Sequence, residues 1–318
     1  MERIDDDPAR YWAELRSELT TQLAAWIPVF FRDLPPAEAQ TIHSVVREGK
    51  KLRGSMVLAV CDALAGPRSR ALPSAVAIEC VQAASLIHDD FVDRDCTRRD
   101  RPAVWIVHGS RRAVLLADVI FATALQRSAE LGRDEVHTLA SAIASVAAGA
   151  YQEPLESREM ETMMCERGLE QPPYDRIAYL KTGALFAAAA ELGAIAAGAA
   201  PAVRKAASEF GARAGEAYQI ADDLSDVVAR TGSDTRSAQH EATLATLLAH
   251  FRIRHDTDAT DKYVVAARAI EKLCSAMELE IDARIRGAHA ALEGFPRPVS
   301  AKLRAFPRLI VERMRAIS

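Results

Sequence analysis

An all-α bundle folded as one domain is the architecture this 318-residue chain predicts, and three observations carry that expectation. Apolar residues recur at helical period through almost every segment, and no convincing alternating strand pattern interrupts them. Helix breakers fall between the periodic runs: Pro28, Pro35-Pro36, Gly66-Pro67, Pro73, Gly109, Gly132, Pro172-Pro173, Pro201, Gly232, and Gly294 with Pro296 and Pro298. No low-complexity linker divides the chain, so residues 1–318 read as a single domain.

The elements follow in order. Residues 9–26 and 36–48 are predicted helices separated by Pro28 and the Pro35-Pro36 pair, and 52–65 runs to the Gly66-Pro67 stop. Residues 74–90 follow Pro73 and end in acidic residues. Helices over 111–131 and 134–155 are punctuated by Gly109 and Gly132. Helix 174–198 opens after Pro172-Pro173, and 202–229 opens after Pro201. Residues 241–251, 259–292 and 299–316 complete the set. The alanine-rich stretches 140–150 and 187–200 carry few bulky groups, which lets helices approach closely or leaves space between them.

Composition excludes several classes. Hydrophobic content of 49% with a net charge of −4 fits a globular protein and leaves no basic footprint for nucleic acid. Cys61, Cys80, Cys96, Cys165 and Cys274 are odd in number and include no CxxC pair. That argues against a disulfide framework or zinc site and for a reducing compartment. Residues 1–10 are acidic and lack a charged-then-apolar signal segment, so a cytoplasmic location is expected. The apolar stretch 184–200 contains Glu191 and is too short for a membrane span, so no span is expected.

The chemistry is concentrated in two acidic clusters, Asp89-Asp90-Phe91-Val92-Asp93 and Asp222-Asp223-Leu224-Ser225-Asp226, each of the form DDxxD and each following an apolar run. On a helix, positions i and i+4 share a face, so Asp89 pairs with Asp93 and Asp222 with Asp226. Two such pairs facing each other across ~8 Å would add a repulsion of roughly 2 kcal/mol per charge pair at an effective dielectric near 20. Magnesium relieves that penalty, and it typically takes one or two carboxylates together with substrate phosphates. Duplication therefore points to a Mg²⁺–diphosphate site. The bland alternative, a solvated helix end, suits Asp5-Asp6-Asp7, which no apolar run precedes.

Phosphate oxygens left free by metal need cationic partners. Gly49-Lys50-Lys51-Leu52-Arg53 opens a helix, where backbone N–H groups and the dipole already favour anions. Arg98-Arg99 follows Asp93 closely, Lys181-Thr182 lies in a third helical run, and Arg230 follows the second acidic cluster. Arginine offers a planar fork for phosphate and lysine a point charge. His88 reads as a packing residue rather than a base. No nucleophile elbow, glycine-rich phosphate loop or HExxH segment occurs.

With these motifs in this order, together with Thr97-Arg98-Arg99-Asp100-Arg101-Pro102 and Lys181-Thr182-Gly183-Ala184-Leu185-Phe186, the chain resembles the trans-isoprenyl diphosphate (polyprenyl) synthases over roughly residues 45 to 250. Within that family it looks most like a geranylgeranyl diphosphate synthase. The resemblance implies an isoprenoid synthase-type helical bundle around a deep central cavity, and a homodimer. It implies a prenyltransferase that condenses isopentenyl diphosphate head-to-tail with an allylic diphosphate. Mg²⁺, three ions with substrate bound, would sit on Asp89, Asp93 and Asp222, with Asp226 in support. Arg98, Lys181, Thr182 and Gln219 would lie near the allylic diphosphate, and Lys50, Arg53, Gln82 and Arg99 would hold isopentenyl diphosphate.

Departures from the family pattern matter. Arg230 stands in for one lysine after the second motif, and a later lysine is absent from Gln239-His240-Glu241-Ala242-Thr243-Leu244. Asp100 replaces the usual glycine after the arginine pair, an expected source of altered turning or partial neutralisation of Arg98 and Arg99. Ala84 and Ser85, small residues just upstream of Asp89, imply a product of C20 (geranylgeranyl) or longer. Two alternatives stand beside elongation. One is a diverged enzyme that ionises a prenyl diphosphate and cyclises it or couples it unusually; the other is a non-catalytic partner subunit.

Overall fold

The computed structural model describes residues 7–152, 174–230, 238–253, 262–296, 299 and 301–315, and it is the expected all-α bundle. Helix α1 (Pro8–Phe30) begins at Asp7, whose carboxylate accepts the Ala9 N–H at 2.9 Å, so this acidic residue caps a helix. Its Trp12, Leu15, Leu19, Leu23 and Ile27 recur every three or four residues and are buried, forming one apolar stripe. After α2 (Pro36–Arg47) and α3 (Leu52–Ala63) comes α4 (Arg68–Val92), buried on nearly all sides between Ala71 and Ile87. It is the one described helix long and apolar enough to cross a membrane, yet 72% of its apolar window is buried inside the protein, as a core helix requires.

Two expected boundaries fail at proline. Pro28 lies in the last turn of α1, and Pro73 lies in the second turn of α4 rather than before it. The burial of Ala71, Ser74, Ala75, Val76 and Ala77 outweighs the one missing backbone donor. The strand pattern also departs from expectation: β1 (Thr97–Arg98) and β2 (Arg101–Pro102) form a small antiparallel hairpin. Arg99 and Asp100 make its two-residue turn with φ of 53° and 59°, the sign a type I′ turn demands at both positions. A strand of two residues has no room for alternation, so periodicity misses it.

The chain continues through α5 (Val104–His108), α6 (Ser110–Leu131) and α7 (Arg133–Gln152). The expected helix 174–198 is three pieces: α8 (Tyr174–Ala178), a π-helical turn (Tyr179–Gly183) and α9 (Ala184–Ala196). Then come α10 (Pro201–Arg230), α11 (Ala238–His250) and α12 (Lys262–Ala291). The final run divides into α13 (Ala301–Arg304) and α14 (Phe306–Arg315), because Pro307 has no N–H to continue a helix from above.

Helix α10 is the spine that positions the site. Ala207, Phe210 and Ala214 pack into a large core shared with α1–α7, α9 and α12–α14. Farther along, Ala217, Ile220, Ala221, Leu224 and Val227 pack into a second core with Tyr174, Leu247, Leu273, Met277, Ile281 and Ile285. Where α9 crosses α10, a Cβ on Gly215 would stand 2.9 Å from the Gly183 α-carbon and from Phe186, so glycine permits the approach.

Candidate active site

The first acidic motif ends α4. Asp89 and Asp90 lie in its last turn, and Asp93 caps it with its N–H bonded to the Asp89 carbonyl at 2.8 Å. Carboxylates crowd the negative end of a helix dipole here, an arrangement that needs cations nearby. Asp90 turns away and is buried; the Arg98 guanidinium contacts its Oδ1 through both Nε, at 2.6 Å, and Nη2. Burial pushes the Asp90 carboxyl up, and Arg98 pulls it back. Arg98 also lies 3.7 Å from Asp95, so its acidic partners are Asp90 and Asp95 rather than Asp100. His88 sits 3.5 Å from Asp118 and edges the Phe121 ring, a packing role.

The second motif lies on α10, where its two faces do different work. Asp222 is half-buried; burial pushes its carboxyl up and Asp226 adds to that, while Lys50, Lys181 and Arg98 pull it down. Those three cations come from the loop before α3, the π turn and the hairpin, so charges from segments distant in sequence act on one carboxylate. Asp223 points the other way, accepting from the Tyr174 hydroxyl and from Gln219 Nε2 at 3.0 Å. Gln219 in turn accepts from the Thr182 hydroxyl. The π turn widens the helix at Lys181 and Thr182, a departure that often marks functional segments.

The basic side begins at Gly49, whose φ of 99° suits glycine. Lys50 Nζ lies 3.5 Å from the Tyr218 hydroxyl and 5.6 Å from the centre of its ring. Burial pushes the Lys50 ammonium down; Asp222 opposes that shift and Arg99 and Arg313 reinforce it. Lys51 is buried and bonds the carbonyls of Val46, at 2.6 Å, and Glu48, with Glu79 at 4.0 Å, so it holds the loop rather than a ligand. Arg53 stacks 4.6 Å above Phe186, and its buried Nε has no hydrogen-bond partner.

Other expected site residues fall into place less directly. Gln82 is half-buried, and its carbonyl accepts from Ser85 Oγ at 3.0 Å. Ala84 is fully buried among core residues. Asp89, Asp93 and Lys181 are half-buried and Asp226 is exposed. The side chains of Arg230, Gln239, His240 and Glu241 lie outside the described residues. A cavity of about 280 Å³ opens behind the hairpin, lined by Leu86, Ile87, Asp90, Arg98, Arg99 and Arg101 among others.

Sequence reasoning missed Tyr174, Glu79 and Arg313. Tyr174 braces Asp223, Glu79 accepts the Gly54 N–H at 2.8 Å beside Lys51, and Arg313 adds its charge to Lys50 from the last helix, where Met314 Sδ lies 3.5 Å from Lys50 Nζ. Only Tyr174 had a possible signal, its place seven residues before Lys181 at the mouth of a helix.

Among the described residues no three carboxylate, histidine or cysteine side chains gather closely enough to enclose a metal ion. The donors present are hard carboxylate oxygens in pairs, with Asp222 held at an electrostatic cost. That set fits Mg²⁺, whose shell is ordinarily completed by water and substrate phosphate oxygens.

A family model described as polyprenyl synthetase matches residues 36–272. A short chain isoprenyl diphosphate synthase of Methanothermobacter thermautotrophicus is 36% identical over 187 residues, covering 58% of this chain and 57% of that protein. A geranylfarnesyl diphosphate synthase of Aeropyrum pernix is 33% identical over 199 residues, covering 59% of this chain and 60% of that protein. The matched stretch thus spans under two thirds of these relatives' own length. Names of other relatives run from farnesyl and geranylgeranyl synthases to a heptaprenyl synthase component. In structure, a decaprenyl diphosphate synthase from Rhodobacter capsulatus superimposes with a TM-score of 0.74 at 25% identity, over 97% of this chain and 100% of that one.

Proposed function

Because the chain belongs to the polyprenyl synthetase family, we propose that it condenses isopentenyl diphosphate head-to-tail with an allylic diphosphate. In this reading it is a Mg²⁺-dependent prenyltransferase whose product is C20, geranylgeranyl diphosphate, or longer. The observation that carries the reading is geometric: Lys50 Nζ lies 3.5 Å from the Tyr218 hydroxyl and the Thr182 hydroxyl bonds Gln219, so the basic loop and the π turn both meet α10 one turn before Asp222.

Asp89, Asp93 and Asp222, with Asp226 in support, would hold the magnesium, three ions with substrate bound. Bound magnesium supplies positive charge that stabilises a departing diphosphate. Lys181 and Thr182, presented by the π turn, orient the allylic diphosphate from the other side, with Arg98 and Arg230 nearby in sequence or space. Gln219 holds Thr182 and Asp223 in register rather than facing solvent. Lys50, Arg53, Gln82 and Arg99 take isopentenyl diphosphate. The allylic C–O bond breaks and its electron pair leaves on the diphosphate. The π electrons of isopentenyl diphosphate then form the new C–C bond, and the released proton passes to a departing diphosphate oxygen. No side-chain base is needed. The apolar core around α4 and α9 excludes water from the reacting carbons, which raises the strength of every charge interaction there.

Ala84 and Ser85 carry the chain-length part of the reading, since neither offers bulk to stop growth. A cytoplasmic homodimer completes it. Ile106, Val107 and Leu115 support that assembly by exposing apolar surface on α5 and α6, as a subunit interface would.

The test is a product assay with Mg²⁺, isopentenyl diphosphate and, separately, C5, C10, C15 and C20 allylic primers, with products dephosphorylated and sized by mass spectrometry. A discrete longer prenyl alcohol is expected. A cyclic hydrocarbon would replace elongation with cyclisation, and no product without a second protein would leave a partner-subunit role.

A further inference from the structure

The back of α10 is tied down by hydrogen bonds and ion pairs that meet at two consecutive residues. Tyr174 is 6% exposed and donates its hydroxyl to Asp223. Asp175 beside it pairs with Arg284 of α12, and Arg284 also bonds Glu216 of α10 at 2.9 Å. Arg213 adds a second contact to Glu216 at 3.0 Å. Positions 216 and 223 are seven residues apart, so at 3.6 residues per turn they lie within about 20° on one helix face. Asp222 and Asp226 lie on the adjoining face, about 80° around the axis on the same helical spacing. Holding the first face therefore sets the direction of the second.

We propose that Tyr174 and Asp175 are positioning residues: they lock the rotation of α10 through Asp223 and through Arg284–Glu216, and so aim Asp222 and Asp226 at the metal–diphosphate. The inference rests on the proposed function, because it supposes that those carboxylates take a cation. Tyr174 touches no substrate in this scheme. Its hydroxyl is a fixed donor to the side chain next to a ligand, so it acts on metal affinity through the orientation of α10, as the hydrogen-bonded partners of ligands do directly.

The test uses the full chain, with Mg²⁺ plus inorganic pyrophosphate as the probe in isothermal titration calorimetry and the KM for isopentenyl diphosphate measured alongside. Tyr174→Phe removes only the hydroxyl, and Asp175→Asn removes only the charge, so either one serves if the other fails to fold. Each is expected to weaken Mg²⁺–pyrophosphate binding about tenfold, leave helical circular dichroism unchanged and leave the isopentenyl diphosphate KM within about twofold. Wild-type affinity in both variants would overturn the inference. So would equal losses at both diphosphate sites, which mark a merely structural role. A wild-type chain that binds no Mg²⁺–pyrophosphate would instead overturn the functional reading beneath it.

Discussion

The guanidinium of Arg99 lies against the backbone of Gly49, so that a Cβ at position 49 would stand 2.7 Å from Arg99 Nη2. The hairpin turn and the loop before α3 are thus one surface, although about fifty residues separate them in sequence. Gly49→Ala meets both that contact and a φ of 99°. It should displace Arg99 and raise the KM for isopentenyl diphosphate about tenfold, while kcat with saturating substrate falls less. Steady-state kinetics varying one substrate at a time will check this.

Neighbouring lysines should fail in different ways. Lys51 is buried with Glu79, their side chains 2% and 6% exposed. Lys51→Met leaves Glu79 and the Val46 and Glu48 carbonyls without their cation, a loss of about 3 kcal/mol of stability. Lys50→Met should keep the melting temperature and lose turnover. Thermal denaturation beside activity separates the two, and equal stability losses would refute the division.

Asp89→Ala addresses the first acidic motif. Turnover should fall on the order of a hundredfold or more, since a charge-stabilising group is lost from the reacting centre. Circular dichroism should be unchanged, because Asp89 is half-buried at a helix end. Unaffected turnover would point to the partner-subunit alternative.

Without bound metal, the protein should lose stability as pH rises from about 4 to about 7. Burial pushes the Asp223 carboxyl up to about 7, against the pull of hydrogen bonds from Tyr174 and Gln219. Its folded value therefore lies above the unfolded value near 4. The stability it contributes is full below about pH 4 and is lost as pH rises towards 7. Asp222 is shifted in the same direction, also first by burial. The melting temperature should drop across that same window, between about pH 4 and pH 7, and Asp223→Asn should make that slope shallower. A slope unchanged by the substitution would contradict this assignment.

Product length has its own test at Ala84. The side chain is fully buried, so Ala84→Phe must push into packed core and should lower stability by about 1–3 kcal/mol. It should also shorten the prenyl product towards C15. A stable variant with unchanged product length would remove Ala84 from the length-setting wall.

Much of this site was legible in one dimension. The paired carboxylates, the Gly49–Arg53 segment, Arg98-Arg99 and Lys181-Thr182 are local patterns, and helical spacing alone places Asp222 and Asp226 on one face. Asp100, expected to alter the turn or to neutralise part of Arg98 and Arg99, takes the left-handed backbone of a tight hairpin, as aspartate does more readily than most residues, while Arg98 finds Asp90. Arg313 was illegible, because nothing near it in sequence reports that α14 packs beside Lys50.

What the sequence by itself determined was the helical class and the side-chain chemistry: carboxylate oxygens in two clusters, with basic groups placed at intervals between them. Those properties follow from residue type and from the 3.6-residue repeat, which are local. Only tertiary structure decided how each acid is partnered. Asp90 is held by Arg98, and Asp223 by Tyr174 and Gln219, while the charges of Lys50, Lys181 and Arg98 act on Asp222. That choice depends on how α8, α10, the hairpin and the loop before α3 meet in space, and burial makes each pairing obligatory, since a carboxylate withdrawn from water must find a donor or a cation.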